Sequence, residues 1–164
     1  MKKLVLIRHA KSDWSNILLD DFDRPLNKRG KKNAPFMANL LNKKNLSPDL
    51  IISSPSIRTK LTLEYFINEF NYTKDIVFEK NIYEAPFENL LNVIKSVNNN
   101  KYNTIFLIGH NPGLNDLSNF LLNEFKENIP TCGIVEIEFD IDFWKDISKR
   151  NSKLISFEFP KKYI

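Results

Sequence analysis

A single cysteine, Cys132, stands in 164 residues. It cannot form an internal disulfide, so the fold must rest on a packed core, as suits a reducing cytosol. No motif surrounds Cys132, which reads as a packed bystander rather than a nucleophile. Long apolar runs are missing too. Nothing approaches the roughly 20 residues of a membrane span. The N-terminal run Leu4-Val5-Leu6-Ile7 stops at Arg8, short of the roughly 7–15 apolar residues of an export signal, and reads as a buried strand. There is no repeat, no Gly/Ser linker and no low-complexity tail. These absences lead to the expectation of one domain over residues 1–164, a cytoplasmic location and no membrane partner.

Arginine and histidine are also scarce. Only five of 24 basic residues are arginine (Arg8, Arg24, Arg29, Arg58 and Arg150), and the chain has two histidines. The net charge of +4 and pI near 9.1 raise nucleic acid as a partner. The lysine pairs Lys2-Lys3, Lys31-Lys32, Lys43-Lys44 and Lys161-Lys162 sit in different segments, however, so they read as solvated surface and no nucleic-acid partner is expected. Where lysine is the default cation, retained arginine points to a need for its planar, bidentate fork, which matches phosphate or carboxylate.

With 42% hydrophobic and 27% charged residues the composition is that of a globular domain. The thirteen phenylalanines are spread along the chain and read mainly as core. Apolar runs of strand length alternate with helical patterns. Strands are expected at Lys3–Arg8, Asp49–Ser53, Ile76–Glu79 and Thr104–Gly109. Helices are expected at Lys28–Lys43, capped by Asn27 and bent at Pro35, and at Ile57–Phe70, Phe87–Val97 and Asn115–Glu127. Gly133–Asp140 and Lys153–Phe159 alternate apolar and polar residues, the mark of strands with one wet face, and Trp144 joins them. Strand and helix in short succession predict an α/β sheet covered by helices.

In such sheets ligands bind beyond the carboxyl ends of the strands. Three of those ends carry chemistry: Arg8-His9-Ala10-Lys11, then Ser53-Ser54-Pro55 leading to Arg58-Thr59, and Gly109-His110-Asn111-Pro112-Gly113. If the strands are parallel neighbours, both histidines and two of the five arginines share one rim. Arg8 and Arg58 would fork onto phosphoryl oxygens, and the helix N-terminus after Pro55 would add backbone donors. Imidazole titrates near neutrality, so one histidine can be a neutral nucleophile while the other donates hydrogen bonds. Phosphoryl transfer is mostly positioning and charge neutralisation, which this set supplies without metal. Bland readings compete: strand-end histidines are often structural, glycines 109 and 113 serve turns, and Ser53-Ser54-Pro55 can be only a helix cap. Two histidines without a completing cysteine or carboxylate cluster do not make a zinc site.

At these residues the chain resembles the histidine phosphatase superfamily, with its phosphoglycerate-mutase-like fold. The matching pieces are Leu4 to Lys11, Ser53 to Thr59 and Ile108 to Pro112. It is most similar to the small phosphohistidine phosphatases of the SixA type. That likeness rests on Ala10 in place of the commoner glycine, on Asp23-Arg24-Pro25-Leu26 before Gly30, on Ala34-Pro35, on Tyr83-Glu84-Ala85, on Trp144 and on the short length. The resemblance implies a three-layer α/β/α sandwich with a mainly parallel mixed sheet. It implies His9 as a nucleophile that becomes transiently phosphorylated, with Arg8, Arg58 and His110 completing the phosphate pocket. Asn111 and Lys11 match phosphate-binding positions or support the loop. Arg24 either reaches the rim or makes a structural ion pair.

Larger relatives supply a carboxylate as general acid. Here Glu84 is the only carboxylate in a similar context, either that acid or an exposed residue ahead of the third helix. An alkoxide leaves poorly without a proton, whereas imidazole leaves phosphorus readily. A site without a strong acid is therefore biased toward phosphorus–nitrogen bonds or activated esters, and a chain this short leaves little room for a lid, so an open pocket is expected. The resulting expectation is a monomeric phosphatase that needs no metal or cofactor and acts on phosphohistidine in a protein. The rivals are a phosphomonoesterase for a small sugar or nucleotide phosphate, with Glu84 as acid, and a non-catalytic phosphate or nucleic-acid binding module.

Overall fold

The computed structural model describes residues 1–98 and 100–164. Its strands are β1 (Lys2–Arg8), β2 (Leu50–Ser53), β3 (Asp75–Phe78), β4 (Thr104–Gly109), β5 (Ile134–Phe139) and β6 (Ser152–Glu158). Its helices are α1 (Lys28–Asn42), α2 (Ile57–Phe70), α3 (Phe87–Lys95) and α4 (Gly113–Leu121). One sheet of order β3-β2-β4-β1-β5-β6 runs through the molecule. Its first four strands are mutually parallel, while β5 is antiparallel to both β1 and β6.

The apolar run of β1 is continuous because both faces of the strand are covered. Val5 and Ile7 join Ile51, Phe106 and Ile108 beneath Met37, Ala38 and Leu41 of α1 and Leu63 and Phe66 of α2. Leu4 and Leu6 face the opposite way, with Ile52 and Leu107, toward Leu90 and Ile94 of α3 and Leu114 and Leu117 of α4. The result is the expected three-layer α/β/α sandwich. No helix among the described residues is long and apolar enough to cross a membrane.

Local signals set several boundaries. The Asn27 side chain accepts the Gly30 N–H at 2.9 Å and starts α1, which continues as helix through Pro35. Four expectations need correction. The fourth helix starts at Gly113 rather than Asn115 and ends at Leu121, because Leu122 is extended and turns Phe125 and Ile129 into the core. The third helix is two residues shorter than expected. Strand β5 has no wet face: Glu136 is only 3% exposed, covered on that side and bonded to Lys3 and Ser156. Not all phenylalanine is core either, since Phe78, Phe120 and Phe143 lie on the surface.

Pairing register brings the chemistry together. Arg8 lies opposite Gly109, and Ser53 opposite Ile108, so β1, β2 and β4 end side by side. Behind that rim, α1 approaches the loop after β1 closely. A methyl group at Gly30 would stand 2.2 Å from the Lys11 carbonyl oxygen, whereas one at Gly109 would meet nothing nearer than 3.7 Å. Gly30→Ala is therefore expected to cost about 1–3 kcal/mol in urea denaturation, with Gly109→Ala as the mild control; equal midpoints for the two variants would contradict this close approach.

Candidate active site

The loop leaving β1 anchors His9. Its Nδ1–H donates to the Ala10 carbonyl at 2.8 Å, and the Ala10 N–H is held by Thr62 Oγ1 on α2 at 2.9 Å. With Nδ1 carrying the proton, the Nε2 lone pair is left facing the site. Arg58 Nε donates to that Nε2 at 3.3 Å. Arg58 sits in the first turn of α2, where its carbonyl accepts the Thr62 O–H at 2.8 Å, and it is 1% exposed.

His110, directly after β4, stands beside His9 with ring centroids 5.2 Å apart. Its Nε2–H donates to Ser54 Oγ at 2.7 Å, and its Nδ1 accepts from Arg58 Nη2 at 3.3 Å. Ser54 thus orients the second histidine, and it also accepts the Ser56 N–H at 3.3 Å. One guanidinium therefore touches both imidazoles. Arg8 brings a second cation: its Nη1 donates to the Ile129 carbonyl at 2.9 Å, while its buried Nε has no hydrogen-bond partner among the described residues.

Burial, first of all, pushes both histidine pKa values down to about 3, and the Arg58 and Arg8 charges act in the same direction. The Arg8 pKa is lowered by burial and by Arg58. Two neutral imidazoles, the buried Arg58 guanidinium, the half-buried Arg8 and its orphaned Nε–H form a site short of negative charge. Carboxylates partly meet that need. Arg58 Nη2 bonds Asp21 Oδ2 at 3.0 Å and Glu84 Oε1 at 2.8 Å, and Glu84 Oε1 lies 3.9 Å from His110 Nδ1. These two side chains, each nearly half exposed, lie against Arg58, itself only 1% exposed. A surface cavity of about 670 Å³ lies elsewhere, between the end of α4 and β6.

The sequence reading missed Asp21. It accepts Tyr83 O–H at 2.6 Å and Arg58 through Oδ2, and Arg24 Nη2 at 2.8 Å through Oδ1. Desolvation alone would raise its pKa, but bonds from Tyr83 and Arg24 and the Arg58 charge hold its carboxyl well below the usual range. Asp20-Asp21-Phe22-Asp23 gives no hint of which acid turns inward; a short 3-10 turn over Asp21–Asp23 decides it. Tyr83 also packs edge-on against the His110 ring at 5.3 Å. Arg24 makes the structural ion pair with Asp21, donates to Ser12 Oγ at 2.6 Å and stacks on Trp14. Asn111 is spent on its loop, donating to the Ile129 carbonyl at 2.8 Å and accepting the Asn115 N–H at 3.2 Å. Lys11 contributes its carbonyl to Asn27 at 3.0 Å. Cys132 is buried, its thiol pushed up to about 12 by burial, and its N–H donates to the His9 carbonyl at 3.0 Å.

An uncharacterized chloroplastic protein of Arabidopsis thaliana is 29% identical over 157 residues, 88% of this chain and 70% of its own length. Phosphoserine phosphatase 1 of Hydrogenobacter thermophilus is 45% identical over 67 residues, 38% of this chain and 29% of that protein. Among solved structures, a provisionally assigned phosphohistidine phosphatase SixA from Agrobacterium tumefaciens superposes with a TM-score of 0.82 at 29% identity, over 97% of this chain and 98% of the other. The protein histidine phosphatase SixA complexed with tungstate shares the fold, with a TM-score of 0.82 at 18% identity over 98% of both chains. A profile of the histidine phosphatase superfamily (branch 1) matches residues 4–111. That span holds Arg8, His9, Arg58 and His110, and the chain belongs to the histidine phosphatase superfamily, branch 1.

Proposed function

We propose that this phosphatase removes phosphate from phosphohistidine in proteins, through a phosphorylated His9 and without a metal. The carrying observation is the His9 Nε2 lone pair, fixed by the Ala10 carbonyl behind it and facing the Arg58 guanidinium. The likeness to the SixA structures supports the substrate class. In the first step Nε2 bonds to phosphorus as the phosphorus–nitrogen bond of the substrate breaks, and the departing imidazole keeps that electron pair and takes a proton from solvent. Water then attacks phosphorus, the bond to Nε2 breaks, and phosphate leaves with His9 restored. Arg8, Arg58 and His110 hold the phosphoryl oxygens, while Asn111 and Lys11 support the loops behind them. Charge spreading over three oxygens is met by fixed donors, which lowers the barrier without reorganisation.

A second reading, a phosphomonoesterase, draws on Glu84. Its carboxylate stands 2.8 Å from Arg58 and 3.9 Å from His110, where a proton donor to an alkoxide would serve. On this reading Glu84→Gln slows hydrolysis of an alkyl phosphate about 100-fold and spares an aryl phosphate. On the phosphohistidine reading both phosphohistidine and aryl phosphate turnover survive the change.

Replacement of the nucleophile, His9→Ala, should lower phosphohistidine turnover by more than about 1,000-fold and abolish acid-labile labelling; a variant at wild-type rate sinks the mechanism. Arg58→Lys keeps the charge but loses the fork, and kcat/KM should fall about 100-fold. Wild-type activity should survive EDTA, and its loss with rescue by a divalent ion would revive a metal site.

The histidines also make anion binding depend on pH. They are neutral down to about 3 in the free protein, and a bound dianion offsets the cations and raises their pKa. Sulfate binding therefore takes up protons and strengthens as pH falls toward about 3, by up to about tenfold per pH unit for each proton taken up. Titration calorimetry in buffers of different ionisation enthalpy reads this uptake directly, and a flat profile would show that the imidazoles do not respond to the anion.

A further inference from the structure

The loop between His9 and α1 exposes more apolar surface than any role in folding requires. Trp14 is 66% exposed, Ile17 91%, Leu18 89% and Leu19 38%, all within six consecutive residues. Elsewhere large exposed apolar residues occur singly or in pairs, as at Val77-Phe78 or Leu154-Ile155. Grouped exposure of this kind marks an interaction surface. The loop does not hold its shape by burying these side chains. Asn16 Oδ1 accepts the Leu18 N–H at 3.0 Å, Asp13 Oδ1 accepts the Ser15 N–H at 2.7 Å, and Ser12 bridges to Leu26 at the base. Polar turns thus present Ile17 and Leu18 to solvent.

Through Trp14 the loop is linked to the phosphate site. The Arg24 guanidinium lies 3.4 Å from the centre of the Trp14 ring, Arg24 pairs with Asp21, and Asp21 pairs with Arg58. A small phosphoester that reaches Arg58 would leave the loop bare; a macromolecule would cover both. The charge identifies the macromolecule's chemistry. Residues 12–23 include Asp13, Asp20, Asp21 and Asp23 and no lysine or arginine; Asp21 is paired with Arg24 and Arg58, which leaves Asp13, Asp20 and Asp23 as the acids outside that pairing, in a chain of net charge +4. Such a segment repels an anionic bilayer and favours a cationic surround.

We infer that Trp14–Leu19 docks the protein that carries the phosphohistidine, and that this partner presents the modified side chain within an apolar face flanked by basic residues. The inference rests on the phosphohistidine reading above. It adds that recognition lies in the loop as well as in the phosphate pocket, through burial of Ile17 and Leu18 on the partner.

The test uses three substrates: a synthetic helical peptide with one phosphohistidine, leucines on the same face and flanking lysines; the same peptide with those leucines replaced by serine; and free phosphohistidine. Wild type should favour the leucine peptide by about tenfold or more in kcat/KM. Ile17→Ser with Leu18→Ser, at the two most exposed positions, should erase that preference through KM and leave free phosphohistidine within about twofold. Ile17→Leu with Leu18→Ile should restore it. A preference that is absent in wild type, or that survives the serine changes, overturns the docking surface while the phosphohistidine reading stands. Cleavage of aryl phosphate but of none of the three substrates overturns that reading and this inference with it. Cosedimentation of wild type, but not of the serine variant, with phosphatidylcholine–phosphatidylglycerol vesicles assigns the surface to lipid and also overturns it.

Discussion

The buried guanidinium of Arg58 is the constraint around which the site is organised. A charge taken out of water is tolerated only when its hydrogen bonds are satisfied. Here the partners come from four segments: His9 after β1, Asp21 in the following loop, Glu84 before α3 and His110 after β4. Satisfying one cation thus fixes the positions of both imidazoles and both carboxylates. The α2 helix sets where that cation stands, and Thr62, one turn on, ties its backbone to the His9 loop.

The same demand explains why the site carries acids at all. Arg58 and Arg8 face neutral histidines, so the free protein lacks negative charge at its centre. Asp21 and Glu84 supply it from the edge, side by side on one guanidinium nitrogen. Asp21 is held by Tyr83 and Arg24 besides, whereas Glu84, about half exposed, has the freer side chain. A phosphoryl group brings its own charge and can replace what these carboxylates provide. Asp21 and Glu84 keep the buried arginine paired.

Much of this was legible in the chain. The alternation of strand and helix, the cap at Asn27 and the strand ends bearing Arg8-His9 and Gly109-His110 all depend on residues close in sequence, and they are found where expected. Boundaries failed where burial overrode pattern. Glu136 reads as a solvent-facing residue, yet Lys3 and Ser156 allow it to be buried. The fourth helix ends early because Phe125 and Ile129 gain more from the core than from helical turns. Asp21 was invisible because three aspartates in four residues are equivalent until a turn selects one.

The sequence by itself determined which groups exist for the chemistry: two histidines, a pair of arginines placed after strands, and a loop rich in apolar and acidic residues. It determined the layered fold as well, since periodicity and continuous apolar runs require both faces of the sheet to be covered. Only the tertiary structure decided how those groups meet. Strand order β2-β4-β1 and the register of Arg8 with Gly109 bring residues 9, 58 and 110 into contact. Contacts between residues 49 or more positions apart follow from pairing and packing of whole elements, for which local sequence carries no direct signal.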